Sequence, residues 1–278
     1  MTAHRIGIIA GAGKFPQMVL DGAKRAGCHV TVVALRGFAD PALGDDADVF
    51  RWAGLVRMGR WVRILRRNGV RSIILAGSVV KSQMYGRFRM IRLLPDWTAI
   101  KIWFFRIPDK RNDTVLAAVA DEFARYGIIM DECTRYTAEH MAPEGVLTRL
   151  QPTASQLRDA EFGWNIAKQM GALDIGQSIA VKETEVIAVE AIEGTDRMIA
   201  RAGELCPRGG WTMIKVAKPN QDRRFDVPTI GPETIATLHK HGAKMLVLEA
   251  GETVIIDREA TVAGADRVGI VITARQEG

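Results

Sequence analysis

The stretch RIGIIAGAGKFP (residues 5–16) decides how the chain folds. Its first six residues are an apolar run that predicts a buried β-strand, and GAGKFP (11–16) then predicts a tight turn. Residues 15–27 carry apolar side chains at helical spacing and end at Gly27, which is typical of a helix C-terminus. A buried strand, a glycine turn and a helix together make the first part of a βαβ unit.

Two further strands extend this pattern toward the C-terminus. HVTVVAL (29–35) is a β-branched run, and VRSIILAG (70–77) follows a helix that closes with VRILRRNG (62–69). Residues 113–126 predict another amphipathic helix. Strands that alternate with helices at this spacing predict a parallel, Rossmann-like sheet.

The second half of the chain mixes tight turns with helices between its strands. The predicted elements are, in order, a helix over 153–170, the strands SIAV and EVIAVE, a helix N-capped by Thr195, the strand WTMIKVAK, a helix over 232–242, the strand KMLVLEAG in a hairpin with TVIIDR, and a last strand VGIVIT. Strands joined in both ways predict a mixed sheet.

The periodicity lapses between residues 138 and 152, in a segment that contains two prolines. We therefore predict an α/β protein with two domains. Residues 1–137 form an N-terminal Rossmann-like domain on the nucleotide side, residues 138–152 form a linker, and residues 153–278 form a C-terminal catalytic α/β domain with a mixed sheet.

The composition argues against several classes of protein. The chain has 278 residues, of which 47% are hydrophobic, as expected for a globular protein with a substantial core. Its three cysteines, Cys28, Cys133 and Cys206, are scattered, which argues against a disulfide framework and a thiolate zinc site. No signal peptide is visible, and no apolar stretch approaches the ~20 residues of a membrane span. We expect a cytoplasmic protein.

Basic residues concentrate in one region. Residues 51–111 hold fifteen Lys and Arg against two acids, whereas the rest of the chain holds 23 basic and 30 acidic residues. The partner of this region should be anionic. Within it, residues 81–111 interleave cations with large apolar side chains, and three interpretations stay open: a membrane or acyl-chain surface, a nucleic-acid patch, and packing helices whose arginines reach solvent. Because no nucleic-acid-binding motif accompanies the charge, we expect no nucleic-acid partner.

Two glycine turns are candidates for binding a phosphate. Gly11, Ala12, Gly13 and Lys14 lie where the first strand passes into the first helix, and Gly77 and Ser78 end the third predicted strand, at the same edge of the sheet. Glycines allow close approach of the backbone, and a helix N-terminus offers N–H groups to an anion. Neither the dinucleotide fingerprint nor the P-loop pattern is complete. The alternative is a tight turn that serves only the fold.

Acidic side chains gather in two turns of the second half. EAIEGTD (190–196) places Glu193 and Asp196 around a glycine, and KPNQDRRFDVPTIGPET (218–234) combines three acids, three cations and three prolines. Carboxylates beside cations on a stiff loop suit Mg²⁺ bound through oxygens, with Lys and Arg neutralising phosphate charge. The alternative is a helix cap at Thr195 and Asp196 and a solvated, charged loop.

Three long blocks carry a resemblance to a known family. LDIGQSIAV (173–181), VEAIEGTDRMIARAGEL (189–205) and KPNQDRRFDVPTIGPETI (218–235) resemble blocks of the I-type UDP-2,3-diacylglucosamine pyrophosphatases of lipid A biosynthesis. GIIAGAGKFP and EAGETVIIDRE agree with the family in order and position, so the resemblance covers nearly the whole chain.

This resemblance implies an activity. The family hydrolyses UDP-2,3-diacylglucosamine to UMP and 2,3-diacylglucosamine 1-phosphate (lipid X), needs Mg²⁺ or another divalent cation such as Mn²⁺, and works at the cytoplasmic side of the inner membrane as a peripheral protein. Its essential aspartate maps to Asp226. Residues 81–111 do not match the family residue by residue, so no role is carried into them. Whether the chain forms a homodimer stays open.

The residues and the resemblance together give a set of expected roles. The expected catalytic residues are Asp226, Lys215, Asp222 and Arg223. The expected metal ligands are Asp226, Asp196 and Glu193. The expected substrate-binding residues are Gly11, Ala12, Gly13, Lys14, Gly77, Ser78, Thr195, Lys218 and Gln221. The alternative is a non-catalytic nucleotide- or lipid-binding protein with a basic surface that faces the membrane.

Overall fold

The computed structural model describes residues 4–79, 96–98, 112–219 and 221–276. The chain divides into two compact units, the first comprising Met1–Ala138 with Asp222–Asp226 and the second Glu139–Gln221 with Val227–Gly278. The chain therefore passes between the units three times. The prediction for residues 81–111 falls outside the described residues, apart from residues 96–98.

The first unit is built on a five-stranded sheet in which every pair of neighbouring strands is parallel. Its elements are β1 (Arg5–Ala10), α1 (Phe15–Arg25), β2 (His29–Leu35), α2 (Leu43–Asp46), β3 (Val49–Ala53), α3 (Met58–Arg67), β4 (Ser72–Ala76), α4 (Asn112–Arg125) and β5 (Ile129–Met130). The strand order is β3-β2-β1-β4-β5. The winding direction reverses between β1 and β4, and ligands of open α/β sheets bind at the carboxyl ends of the strands at such a point.

The helix α3 shows how the basic sequence of this unit is reconciled with folding. Met58, Trp61, Val62 and Leu65 recur at helical spacing and are buried in the core of the unit, while the arginines between them are exposed. The helix therefore packs by its apolar stripe and presents its cations to solvent.

The second unit contains a six-stranded mixed sheet. After a 3₁₀-helix at Ala138–His140, the elements are β6 (Gly145–Val146), α5 (Ala154–Ala172), β7 (Ser178–Lys182), β8 (Glu185–Val189), α6 (Thr195–Leu205), β9 (Trp211–Lys215), β10 (Thr229–Ile230), α7 (Pro232–Lys240), β11 (Ala243–Glu249), β12 (Val254–Ile255), α8 (Arg258–Val268) and β13 (Val271–Arg275). The strand order of the sheet is β6-β13-β11-β9-β7-β8. β9, β11 and β13 are parallel, whereas β7 runs antiparallel to both β8 and β9. The carboxyl ends of β8, β9, β11 and β13 thus share one edge with the start of β7.

Helices cover both faces of this sheet. α5 packs on the face that carries Ile214 and Val247, while α6, α7 and α8 pack on the face that carries Met213 and Leu248. The start of α5 is a capping box in which Thr153 Oγ1 accepts from the Gln156 amide at 3.3 Å and Gln156 Oε1 accepts from the Thr153 amide at 2.8 Å. Such reciprocal bonds satisfy amides that the helix itself leaves free.

The predicted fold class is confirmed, since both units are α/β and their sheets are parallel and mixed, respectively. The second unit differs from the prediction in two of its elements. KMLVLEAG and TVIIDR form no hairpin, because β9 and β13 already occupy both edges of β11 and β12 pairs in parallel with β10. The helix α8, which separates β12 from β13, was not predicted.

The division into units differs from the predicted boundaries in two places. The first unit ends at Ala138 and takes up Asp222–Asp226, a loop that the sequence placed in the second domain. Part of the predicted linker at 138–152 is ordered, because β6 pairs antiparallel with β13. Among the described residues, no helix is both long and apolar enough to cross a bilayer.

Candidate functional site

In the first unit, the two predicted phosphate-binding turns meet at the point where the winding reverses. Ala12 and Ser78 exchange backbone hydrogen bonds, with the Ala12 amide donating to Ser78 O at 2.8 Å and the Ser78 amide donating to Ala12 O at 2.9 Å. The Gly11 amide donates to Ala76 O at 2.8 Å. The turns after β1 and β4 therefore form one hydrogen-bonded surface at the carboxyl edge of the sheet.

Glycine is required where these turns touch. A Cβ on Gly11 would lie 2.7 Å from Ser78 O, and one on Gly77 would lie 2.6 Å from Ala12 O. Gly77 also has a φ of +86°, in the left-handed region that L side chains rarely adopt. The outer rim of this surface, which includes Gly13, Lys14 and Ser78, is exposed. The helix α1 begins here without a side-chain cap, so the site has the geometry that suits a phosphate.

The loop Asp222–Asp226 belongs to the same unit and is anchored beside the end of β5. The Cys133 amide donates to Arg223 O at 3.0 Å, and Arg223 Nε lies 3.6 Å from Glu132 Oε2. Phe225 packs against the core of the first unit. Because Cys133 follows β5, these contacts place the loop at the carboxyl edge of the parallel sheet.

Asp226, the predicted catalytic residue, is exposed at the end of this loop. The pKa of the Cys133 thiol is raised to about 12, mainly by burial and in second place by the nearby Asp226 carboxylate, because a second negative charge would be unfavourable there. The carboxylate of Asp226 therefore lies close to Cys133 while remaining accessible to solvent.

Asp222, also predicted to be catalytic, is engaged by a neighbour. Its Oδ2 accepts from Arg224 Nη2 at 2.6 Å and its Oδ1 accepts from Arg224 Nε at 2.9 Å. These hydrogen bonds hold the pKa of Asp222 below its ordinary value, against an opposing contribution from burial. Arg224 in turn stacks over the Phe225 ring at 4.9 Å. The pair braces the loop that presents Asp226.

In the second unit, Lys215, Thr195 and Glu190 form a hydrogen-bonded chain. Lys215 Nζ donates to Thr195 Oγ1 at 3.0 Å, and Thr195 Oγ1 donates to Glu190 Oε1 at 2.8 Å. The ammonium can only donate, so the hydroxyl proton of Thr195 must point toward the carboxylate. Thr195 is thus not the N-cap that was predicted; α6 begins at Thr195 and the cap position is held by Gly194.

Lys215 and Glu190 lie beside Ser178 at this edge of the sheet. Ser178 is the register partner of Lys215, and the Glu190 amide donates to Ser178 O at 2.8 Å. All three residues are buried, with Lys215 only 4% exposed. Within the described ranges, Ser178 Oγ and Glu190 Oε2 have no hydrogen-bond partner. Buried polar atoms without partners are rare and concentrate at functional sites, so these residues mark the edge as a candidate site.

Lys218 and Gln221 form a turn just beyond β9. The Lys218 amide donates to Gln221 Oε1 at 3.0 Å, and the Gln221 amide donates to Lys218 O at 3.0 Å. Lys218 Nζ donates to Asp174 Oδ1 at 2.7 Å. The two predicted substrate-binding residues are therefore brought together near the end of the strand that carries Lys215.

The three predicted metal ligands do not all lie in one unit. Asp226 belongs to the first unit, whereas Glu193 and Asp196 belong to the second. Glu193 accepts from Arg201 Nη2 at 2.6 Å, and its pKa is lowered by hydrogen bonds from its own backbone amide and from Arg201. Asp196 is exposed in the first turn of α6. In the part of the chain that the structure describes, no group of three or more His, Cys, Asp or Glu side chains could hold a metal ion.

Several polar residues at the same edge of the second sheet had no predicted role. Ser178 was not singled out, nor was the ion pair between Lys168 Nζ and Glu249 Oε1 at 2.9 Å. For Glu249 a signal was present, since it is the one acid at the end of the apolar strand KMLVLEAG. Lys168 could not have been found, because its partner is distant in sequence.

Comparison with known proteins finds two matching domains, one for each half of the chain. Residues 5–140 match the LpxI N-terminal domain and residues 143–273 match the LpxI C-terminal domain. The chain belongs to the LpxI family. It is 33% identical over 280 residues to the UDP-2,3-diacylglucosamine pyrophosphatase LpxI of Caulobacter vibrioides, covering 97% of this chain and 96% of that protein. The resemblance to the I-type pyrophosphatases is thereby confirmed.

Along the sequence, the change from the LpxI N-terminal match to the C-terminal match lies close to the end of the first structural unit. The LpxI N-terminal match ends at residue 140 and the first unit at Ala138. The loop Asp222–Asp226 is the exception, because it lies within the LpxI C-terminal match but packs with the first unit.

Proposed function

We propose that this chain hydrolyses the pyrophosphate of UDP-2,3-diacylglucosamine and releases UMP and 2,3-diacylglucosamine 1-phosphate. The observation that carries the proposal is the identity with the Caulobacter vibrioides enzyme along 97% of the chain, together with both LpxI domains in order. A relative that shared only one domain would leave the reaction open, whereas this one spans both.

The first unit would supply the backbone that binds the nucleotide phosphate, and it would supply the carboxylate of Asp226. The paired turns at Gly11–Lys14 and Gly77–Ser78 offer backbone close to an incoming phosphate, and Lys14 adds a positive charge. Asp226 is accessible on a loop held by Arg223 and Phe225. Its proposed role is to orient the attacking water or to bind the divalent cation.

The second unit would supply cations that stabilise negative charge as the bond to phosphorus breaks. Phosphoryl transfer depends mainly on such positioning and charge stabilisation. Lys215 is held in one orientation by Thr195 and Glu190, and a cation fixed in advance need not reorganise during the reaction. Lys218 lies beyond the same strand.

Mg²⁺ is proposed as the cofactor, and the donor set is compatible with it. Mg²⁺ is commonly bound by one or two carboxylates together with substrate phosphates and water, so a group of three acids is not required. The accessible carboxylate of Asp226 can serve as such a ligand, whereas Glu193 is already engaged by Arg201. When bound, the ion would neutralise charge on the pyrophosphate oxygens.

Peripheral contact with an anionic membrane is proposed for the exposed face of α3. This face carries exposed Arg60, Arg63, Arg66 and Arg67, and the helix is held to the core by Trp61 and Leu65. Each basic residue near an anionic surface contributes about 1 kcal/mol of attraction. Binding to vesicles containing phosphatidylglycerol, but not to neutral vesicles, is expected, and loss of this difference in an Arg63→Gln, Arg67→Gln variant would support the assignment.

The direct test is an assay for UMP release. Purified protein is incubated with UDP-2,3-diacylglucosamine in the presence of Mg²⁺ or of EDTA. We expect UMP and the lipid phosphate only with the metal. Binding of the substrate without turnover, in both conditions, would instead identify a non-catalytic binding protein.

Asp226→Asn is the matching variant, because Asn keeps the size of the side chain and removes its charge. We expect a fall in kcat of several orders of magnitude with an unchanged thermal unfolding midpoint, since Asp226 is exposed. The control is Asp45→Asn, at an exposed acid on the surface helix α2, which should leave kcat unchanged. Turnover at the wild-type rate in Asp226→Asn would exclude the proposed role.

A further inference from the structure

The buried ion pair between Glu249 and Lys168 has no place in the reaction described so far. Lys168 Nζ donates to Glu249 Oε1 at 2.9 Å, and the two side chains are only 13% and 6% exposed, respectively. The other oxygen, Glu249 Oε2, accepts from the Ala217 amide at 2.7 Å. Both oxygens of one carboxylate are therefore engaged, one by a cation and one by the backbone.

The backbone contact lies where the chain leaves the sheet. β9 ends at Lys215 and β11 at Glu249, and Leu248 is the register partner of Lys215. On the side of β7, the Val216 amide donates to Gln177 O at 2.9 Å. On the side of β11, the Glu249 side chain accepts a hydrogen bond from the next amide, that of Ala217. The first residues after β9 are thus held from both sides.

The segment held in this way leads directly to the proposed catalytic loop. The Lys218–Gln221 turn follows Ala217, and Asp222, the next residue, is the first residue of the loop that joins the first unit. Two hydrogen bonds join Lys218 and Gln221. A shift of Ala217 would consequently displace Lys218 and Gln221, to which Asp222 is joined directly along the chain.

We propose that Glu249, held in place by Lys168, is a positioning residue that fixes the start of the loop carrying Asp226. The inference rests on the proposed function in one respect, namely that Asp226 is the catalytic carboxylate. A buried ion pair is a poor source of stability, since apolar residues of similar volume often support a fold equally well. What apolar residues lack is an acceptor for the Ala217 amide.

Two matched double variants isolate this acceptor. Lys168→Met with Glu249→Gln and Lys168→Met with Glu249→Leu both remove the charge pair and leave no buried charge without a partner. Gln retains an oxygen for the Ala217 amide, whereas Leu, of similar size, does not. The measurements are kcat and KM for UMP release, the thermal unfolding midpoint, and hydrogen exchange of the amides in residues 216–226.

The Leu double variant is expected to lose about 10- to 100-fold in kcat, because a displacement of about 1 Å in an active site can cost that much. Its amides in residues 216–221 should exchange faster than those of the Gln double variant, at a similar unfolding midpoint. The Gln double variant should keep a kcat close to that of the wild type.

Equal exchange in the two double variants would overturn the inference, as would an equal kcat. The control is Glu161→Gln on α5, the helix that also carries Lys168. This variant removes an exposed ion pair between α5 and β13, in which Arg275 Nη1 lies 2.6 Å from Glu161 Oε2. A similar loss of kcat in this control would also count against it. If the wild-type chain releases no UMP, the proposed function fails, and the exchange comparison alone decides whether Glu249 positions the loop.

Discussion

Gly77→Ala is expected to damage the contact between the two turns of the first unit. The new Cβ would lie 2.6 Å from Ala12 O and 2.8 Å from Pro16 Cγ, distances that real Cβ atoms do not show. Because Ala12 O is a backbone atom, the turn after β1 must move to make room. The same substitution also places a side chain at a φ of +86°.

Gly27→Ala provides the control for the magnitude. Gly27 has a φ of +74°, similar to that of Gly77, but a Cβ there would meet nothing within 4 Å. The left-handed conformation costs about 1–2 kcal/mol in both variants, partly offset by the lower entropy of the unfolded chain. The difference between the variants is therefore the overpacking alone, about 1–3 kcal/mol.

Thermal unfolding measures this difference. For a domain of this size, 1 kcal/mol corresponds to roughly 3 °C, so Gly77→Ala should unfold about 3–9 °C below Gly27→Ala. In the UMP assay, Gly77→Ala should raise KM, whereas Gly27→Ala should behave as the wild type. Equal midpoints would show that the close approach is not maintained in solution. A lower midpoint with an unchanged KM would show that these turns do not bind the nucleotide.

Three further predictions concern the polar side chains. Thr195→Val should lower kcat by about 10-fold or more because it removes the acceptor that holds Lys215, whereas Thr195→Ser should restore most of it; equal rates in the two would refute the role of the hydroxyl. Because its hydrogen bonds with Arg224 lower the pKa of Asp222 below 3.8, they should stabilise the protein above that pH and lose this effect as the pH falls through the lowered pKa. Arg224→Met should accordingly lower the free energy of unfolding slightly at pH 7, by at most about 1 kcal/mol for so exposed a pair, and the difference from the wild type should shrink at pH 3. Since burial is the main cause that raises the pKa of Cys133 to about 12, iodoacetamide at pH 8 should leave this thiol unmodified in the native protein. Peptide mapping measures the labelling, and rapid modification of Cys133 would contradict the prediction.

The contents of each unit could be read from the sequence because they depend on local patterns. The apolar runs and glycine stops predicted β1, β2, β4 and the helices α1 and α3, and they placed the turns that end β1 and β4 at one edge of the sheet. Even the start of α5 has a local signal, since Thr153 and Gln156 have the spacing of a capping box. β3 was missed because it is a half-exposed strand without clear alternation.

Other features depend on contacts between distant residues, and no local pattern could show them. TVIIDR has the composition of a hairpin partner, but β11 already has a neighbour on each edge, so its short strand pairs with β10 instead. Thr195 is of a residue type that is typical of an N-cap, yet it is the first residue of α6, and its hydroxyl lies between Lys215 and Glu190.

The sequence by itself determined the fold class and the family, because the periods of strands and helices and the long motif blocks lie in consecutive residues. Only the tertiary structure decided that Asp222–Asp226 belongs to the first unit and that Glu249 holds the amide of Ala217. The physical reason is that packing of Phe225 and a hydrogen bond over 32 residues of sequence separation depend on where the chain returns, which no local propensity encodes.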